Sequence, residues 1–137
     1  MISFASASAF AFYYFCPMPI AEVFKDFVID CAHSLPNVPE GHKCKNVHGH
    51  TYKIRVGLKG ELDPVLGWVE DFATIKAAFE PIKELLDHRY INDVSGLENP
   101  TAENLAIWVW NRMKAKLPML HEVWVFETPL SGTVYRG

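Results

Sequence analysis

The stretch His48-Gly49-His50-Thr51-Tyr52-Lys53-Ile54-Arg55-Val56 decides how this chain is read. From Thr51 to Val56 apolar and polar residues alternate, the period of a half-buried β-strand, and two histidines spaced i, i+2 stand at its head on one face. A strand from His48 to Lys59 follows from that pattern. Upstream, Val23 to Cys31 is rich in Val, Phe and Ile and reads as a second strand delivering His33 at its end. Ser34 to Asn46 carries two prolines and a glycine and reads as the loop between them. An antiparallel pairing brings His33 beside His48 and His50. Three neutral imidazoles suit Zn²⁺ and leave a fourth position open for water or substrate, the arrangement of a catalytic rather than a structural zinc.

Downstream, Asp63-Pro64 and Gly67 mark a turn, and Trp68 to Phe72 leads into a helix with Ile75, Ala78, Phe79, Ile82, Leu85 and Leu86 at helical spacing. Pro81 falls inside that pattern and predicts a kink or break. Asn99-Pro100-Thr101 reads as a second helix start, with Pro at or next to the first helical position and Leu105, Ala106, Val109, Met113 and Leu117 as the buried stripe; Pro118 ends it. Trp108 and Trp110 lie on different sides of this helix, one assigned to the core and the other to a subunit contact. Glu122 to Thr128 alternates again, Val123, Val125 and Glu127 against Trp124 and Phe126, and a short strand around Thr133-Val134-Tyr135 closes the order ββααββ. The expected class is α+β, a four-stranded antiparallel sheet with both helices on one face.

A chain of 137 residues, half of them hydrophobic, holds one domain with a real core. A net charge of -3 without a Lys/Arg cluster excludes an electrostatic case for nucleic acid. Cys16, Cys31 and Cys44 are three cysteines at irregular spacing without a CxxC pair, which fits a reducing cytosol better than a disulfide framework. Residues 1–20 contain no charged side chain. They lack the basic start of a secretory signal, and Ala9 to Cys16 is too short to span a bilayer. They read as an N-terminal extension, either a mis-assigned start with Met18 as the true initiator or a disordered tail, ahead of a domain over 21–137.

Six further residues carry chemistry by type. Cys44 has three readings from sequence: fourth zinc ligand, inert thiol or base. Asp87-His88 is an acid–base pair or an ordinary helix-end cap. Glu127, at the end of an apolar strand, is expensive to bury without a donor and is otherwise a surface carboxylate or intersubunit ion pair. Thr101 and Glu103 line a pocket or simply cap a helix.

Taken in order, Cys31-Ala32-His33, Cys44-x-x-x-His48-Gly49-His50, Gly67-Trp68 with Asp71-Phe72, Leu86-Asp87-His88, Asn99-Pro100-Thr101-x-Glu103-Asn104 and Glu127-Thr128 resemble the family of 6-pyruvoyltetrahydropterin synthase and its bacterial queuosine-pathway relative, 6-carboxy-tetrahydropterin synthase. The resemblance runs from Phe24 to Arg136. Leu35-Pro36-Asn37-Val38-Pro39-Glu40-Gly41-His42-Lys43-Cys44 brings it nearest to the queuosine branch. Cys31, where a small residue is common, and Glu70, where an apolar one is usual, depart from the pattern.

The resemblance implies the tunnelling fold (T-fold), with subunits joining their sheets into a barrel, a homohexamer or other trimer-based assembly, and active sites between subunits. It implies 7,8-dihydroneopterin triphosphate as substrate, zinc on His33, His48 and His50, Cys44 as proton acceptor, His88 as a catalytic acid–base with Asp87 in support, and Glu127 gripping the pterin's 2-amino and N3–H donors. Thr101 and Glu103 help line that pocket. The implied activity is a cytoplasmic lyase that forms 6-carboxy-tetrahydropterin and releases triphosphate and acetaldehyde. The alternatives are a synthase that stops at the 6-pyruvoyl product and a non-catalytic zinc-binding module closed by Cys44.

Overall fold

A computed structural model describes residues 17–137; readings that fall on residues 1–16 lie outside the described residues. Strands β1 (Ile20–His33) and β2 (His48–Glu61) pair antiparallel along their whole length, with His33 opposite His48 and Cys31 opposite His50. Both run further than the alternation alone predicted, because each strand supplies the other's hydrogen bonds well past its apolar stretch. β3 (Leu120–Thr128) pairs with β2, and β4 (Ser131–Tyr135) with β3, so the sheet order is β1-β2-β3-β4. Helices α1 (Phe72–Leu86) and α2 (Ala102–Met113) fall between β2 and β3. The order is ββααββ and the class α+β, as expected.

One sheet face makes the core. Ile29, Cys31, Tyr52, Ile54, Val56, Val123 and Val125 are buried with Ile75, Phe79 and Ile82 of α1 and Leu105, Val109 and Met113 of α2. Phe27 stacks on Phe79 at 3.9 Å between ring centroids. Truncating a fully buried member such as Ile54 to Ala costs about 2–5 kcal/mol. The other face is uncovered: Phe24 and Val28 are about half exposed, and Arg55 lies over the Phe24 ring while paired with Asp26.

Three expectations are corrected. α1 runs unbroken through Pro81. Pro81 and Ala77, whose carbonyl loses its helical donor, are both on the exposed side of α1, where the free acceptor need not be buried. Leu85 is exposed on the same helix and does not belong to the buried stripe. Trp108 and Trp110 are both buried within the chain, at 4% and 8% exposure. Arg112 stacks over the Trp108 ring, whose Nε1–H donates to the Ser95 carbonyl, and Trp110 meets Tyr135 of β4 edge-on, so neither is left for a subunit contact. α2 itself begins one residue past Thr101, with Pro100 outside the helix, and ends at Met113 ahead of Pro118. Among the described residues no helix is long and apolar enough to cross a membrane.

Candidate functional site

The core face of the sheet changes character at one end. Along β2 its inward positions run from Leu58, Val56 and Ile54 through Tyr52 to His50 and His48; on β1 the same face ends in His33. Gly49, between the two histidines, faces the other way, and a Cβ there would stand 3.3 Å from the Cys31 carbonyl oxygen, so the close β1–β2 approach at the ligands favours glycine.

Ligand atoms of His33, His48 and His50 lie within 4.8 Å of one another. The hydrogen bonds fix which nitrogens face inward. His33 Nδ1–H donates to the Pro100 carbonyl at 3.0 Å, and His48 Nδ1–H donates to the Asn46 carbonyl at 2.8 Å. In the neutral rings each Nε2 is then a lone-pair acceptor, and the two Nε2 atoms face each other at 3.1 Å. Two acceptors at that distance repel unless a cation lies between them. Neutral imidazoles held by backbone carbonyls and converging on one point are a donor set that fits zinc. Burial, the largest cause, pushes the His33 pKa down, which favours the neutral ligand form; His33 is only 1% exposed.

A cavity of about 490 Å³ opens onto this cluster, walled by His33, His48, His50, Leu35, Lys43, Cys44, Glu127 and Thr128. Cys44 reaches it because the loop after β1 folds back, with Leu35 N–H donating to the Cys44 carbonyl at 2.8 Å. The Cys44 amide in turn donates to Nδ1 of His42 at 3.1 Å. The cysteine stands on the cavity wall, and the three converging ligand residues are His33, His48 and His50. Glu127 comes from β3, whose register with β2 pairs Phe126 with Lys53 and so sets Glu127 near Tyr52. The Tyr52 hydroxyl is pushed up in pKa by its burial first and by the charge of Glu127 next.

Glu127 also forms part of a neighbouring cavity of about 290 Å³ with Leu35, Thr101 and Glu103. Thr101 Oγ1 there accepts the Asn104 N–H at 3.2 Å as the N-cap of α2.

His88 and Asp87 lie elsewhere. His88 lines a third cavity, about 610 Å³, with Asp30, Cys31, Thr51, Arg89 and His50 among its walls; His50 is the residue it shares with the Cys44 cavity. Its side chain is 77% exposed and its backbone sits at φ +57°, the left-handed region that costs a side-chain-bearing residue about 1–2 kcal/mol. Contacts with the edge of β1 hold it there: His88 N–H donates to the Asp30 carbonyl at 2.6 Å, and Asp30 N–H donates to the Asp87 carboxylate at 3.0 Å. That amide, ahead of the His88 imidazole 3.2 Å away, holds the Asp87 carboxyl below the usual carboxylate range.

One chain therefore gathers His33, His48, His50, Cys44 and Glu127, sets Thr101 and Glu103 beside them, and keeps the His88 pair apart. Sequence reasoning passed over Tyr52, Pro100 and Asn46. Tyr52 was legible as the next inward position after His50, and its hydroxyl lies 3.2 Å from His33 Nδ1. Nothing in residue type marks a backbone carbonyl as the partner of a ligand.

The family model described as 6-pyruvoyl tetrahydropterin synthase matches residues 22–137. The chain is 40% identical over 119 residues to a Synechocystis protein named 6-carboxy-5,6,7,8-tetrahydropterin synthase, covering 82% of this chain and 91% of that protein. It is 38% identical over 103 residues to the human protein named 6-pyruvoyl tetrahydrobiopterin synthase, covering 69% and 71%. Its structure is similar to that of the Caenorhabditis elegans 6-pyruvoyl tetrahydropterin synthase, with a TM-score of 0.81 and 31% identity over 88% of this chain and 97% of that one.

Proposed function

The chain belongs to the 6-pyruvoyl tetrahydropterin synthase family, and on that footing we propose that it is a zinc-dependent lyase converting 7,8-dihydroneopterin triphosphate to 6-carboxy-5,6,7,8-tetrahydropterin, with release of triphosphate and acetaldehyde, in the queuosine pathway. The observation that carries the reading is the facing pair of Nε2 lone pairs on His33 and His48, with His50 beside them, opening onto a cavity that Glu127 and Cys44 also wall. The likeness to the Synechocystis protein supports the carboxy product over the pyruvoyl one.

The roles follow from position. Glu127, on the cavity wall, accepts the adjacent 2-amino and N3–H donors of the pterin and so directs the hydroxylated side chain towards the histidines. Zinc, when bound, acts as a Lewis acid on charge that develops on the side-chain oxygens. Cys44, on the cavity wall, takes the proton from the side chain. His88, with Asp87 orienting its imidazole, returns protons from the cavity across His50. Because Cys44 and His88 line different cavities of one chain, we place the working site where two copies meet, in a barrel-like homo-oligomer, a hexamer or other trimer-based form. The uncovered sheet face with Phe24 and Val28, and the largely free outer edge of β1, suit such an assembly. Free Cys31 and Cys44 suit a cytoplasmic setting.

Incubation of the zinc-loaded protein with 7,8-dihydroneopterin triphosphate, with pterins and acetaldehyde followed together, tests the reading. Acetaldehyde in step with the 6-carboxy product supports it. A 6-pyruvoyl product without acetaldehyde moves the chain to the other branch of the family. Zinc fully bound with no turnover, and metal lost in the Cys44→Ala variant, would establish a binding module instead.

A further inference from the structure

The end of β1 is fastened to the segment that follows α1 by successive rungs. His88 N–H donates to the Asp30 carbonyl, and Ala32 N–H donates to the Arg89 carbonyl at 2.9 Å. At Ser34 a side chain replaces the backbone partner: Asn92 Oδ1 accepts the Ser34 N–H at 2.9 Å, and Asn92 Nδ2 donates to the Ser34 carbonyl at 2.8 Å. The Ser34 hydroxyl and the Tyr90 hydroxyl lie 2.7 Å apart beside that rung. Asn92 Nδ2 also reaches the Glu98 carbonyl at 3.3 Å, which ties in the turn before α2. Ser34 is itself nearly buried and directly follows His33.

We propose that Asn92 is a positioning residue for the metal centre. A carboxamide carries one acceptor and a pair of donors at a spacing close to that of a residue's own C=O and N–H. Asn92 uses them as the next residue of a short parallel strand would, continuing the bridge that already pairs Ala32 with Tyr90. The rung keeps the His33 backbone from drifting, so that its Nδ1–H stays on the Pro100 carbonyl and its Nε2 stays aimed at His48. Other bonds along the same edge, between Asp30 and the Asp87-His88 pair, hold the His88 turn. Asn92 touches neither substrate nor metal in this role. The inference rests on the metal centre proposed above.

The test is metal binding by the full-length chain, which needs no turnover. Zinc affinity is measured by competition with a chromophoric chelator, and geometry by the visible bands of the cobalt(II)-substituted protein, for wild type, Asn92→Ala, Asn92→Asp and Leu117→Ala. Residues that orient metal ligands from outside typically change affinity by about 10- to 100-fold. Asn92→Ala should therefore lose about tenfold or more in zinc affinity and shift the cobalt bands. Asn92→Asp keeps an acceptor for the Ser34 N–H and loses the donor to its carbonyl, so it should fall between; it decides the matter if the alanine variant does not fold. Leu117→Ala, which opens the core away from the site, should lose thermal stability yet keep the wild-type affinity and spectrum. Unchanged affinity and bands in the Asn92 variants would overturn the inference, and so would an equal loss in Leu117→Ala. A wild-type chain that takes up no zinc would overturn the metal centre and this inference with it.

Discussion

Two cavities meet at His50, and they are built in opposite ways. On one side, His33, His48 and Glu127 project from neighbouring strands whose pairing fixes them, and carbonyls of Pro100 and Asn46 hold two of the rings. On the other, His88 stands on a left-handed residue at the sheet's outer edge with most of its side chain in solvent. Strain there is offset by the His88 N–H bond to the Asp30 carbonyl, contributing about 0.5–1.5 kcal/mol, and by the Asp30 N–H bond to the Asp87 carboxylate. The half with the three histidines is complete in one chain because sheet register dictates it. The His88 half is presented outward, and in the proposed assembly a second copy gives it something to act on.

Removing a ligand should break the complete half first. His48→Ala deletes one of the two facing nitrogens, so zinc content should fall sharply and turnover should drop about a thousandfold or more, as loss of several kcal/mol of charge stabilisation requires. Metal analysis beside the kinetic assay checks both. Undiminished zinc would show that the converging histidines are not the site.

The next effect sharpens the contrast. Cys44→Ala and His88→Ala should each keep zinc and lose about 10² to 10³ in kcat, the range of a general acid–base group. If the two cavities join between copies, mixing the two inactive proteins, dissociating them and letting them reassemble should restore activity to about a quarter of wild type, because random pairing puts an intact Cys44 opposite an intact His88 at one junction in four. No recovery would mean that each chain uses its own pair.

The same division explains what could be read from sequence. Alternation and the i, i+2 histidines located β2 and the ligand face, because side-chain direction in a strand follows from parity alone. Core positions of both helices were legible for the same reason at a different period. What escaped were contacts that depend on where distant backbone lies: the Pro100 carbonyl on His33, the Asn92 rung at Ser34, and the Asp30 carbonyl under His88. Pro81 misled because propensity prices a lost helical bond without knowing that the free carbonyl belongs to an exposed residue. Trp108 and Trp110 misled because a helix with a 95–98 turn on one flank and β4 on another buries more than one stripe.

A smaller effect separates two thiols that sit on opposite sides of the His50 boundary. Burial, then the charges of Asp87 and Asp30, pushes the Cys31 thiol up to about 12, whereas Cys44 lies half-buried on an open cavity wall. At pH 8 only about one Cys31 in 10⁴ is thiolate. Iodoacetamide at that pH should label Cys44 at least about a hundred times faster than Cys31, read by peptide mass spectrometry. Equal labelling would show that the β1 edge opens readily and that the His88 half is looser than its hydrogen bonds imply.

The smallest effect concerns Thr101, where capping and substrate contact compete for one hydroxyl. Its Oγ1 already accepts the Asn104 N–H, and it lies with Glu127 in the cavity that the histidines do not line. Thr101→Ala should cost about 1 kcal/mol in denaturant unfolding as a lost N-cap, and Thr101→Ser should recover it. If the hydroxyl serves the helix alone, KM for the pterin stays at its wild-type value in both variants. If it also touches substrate, KM rises in the alanine variant and returns in the serine variant. Glu127 then binds with a partner on its far side, and the two cavities it divides are one pocket once a pterin is seated.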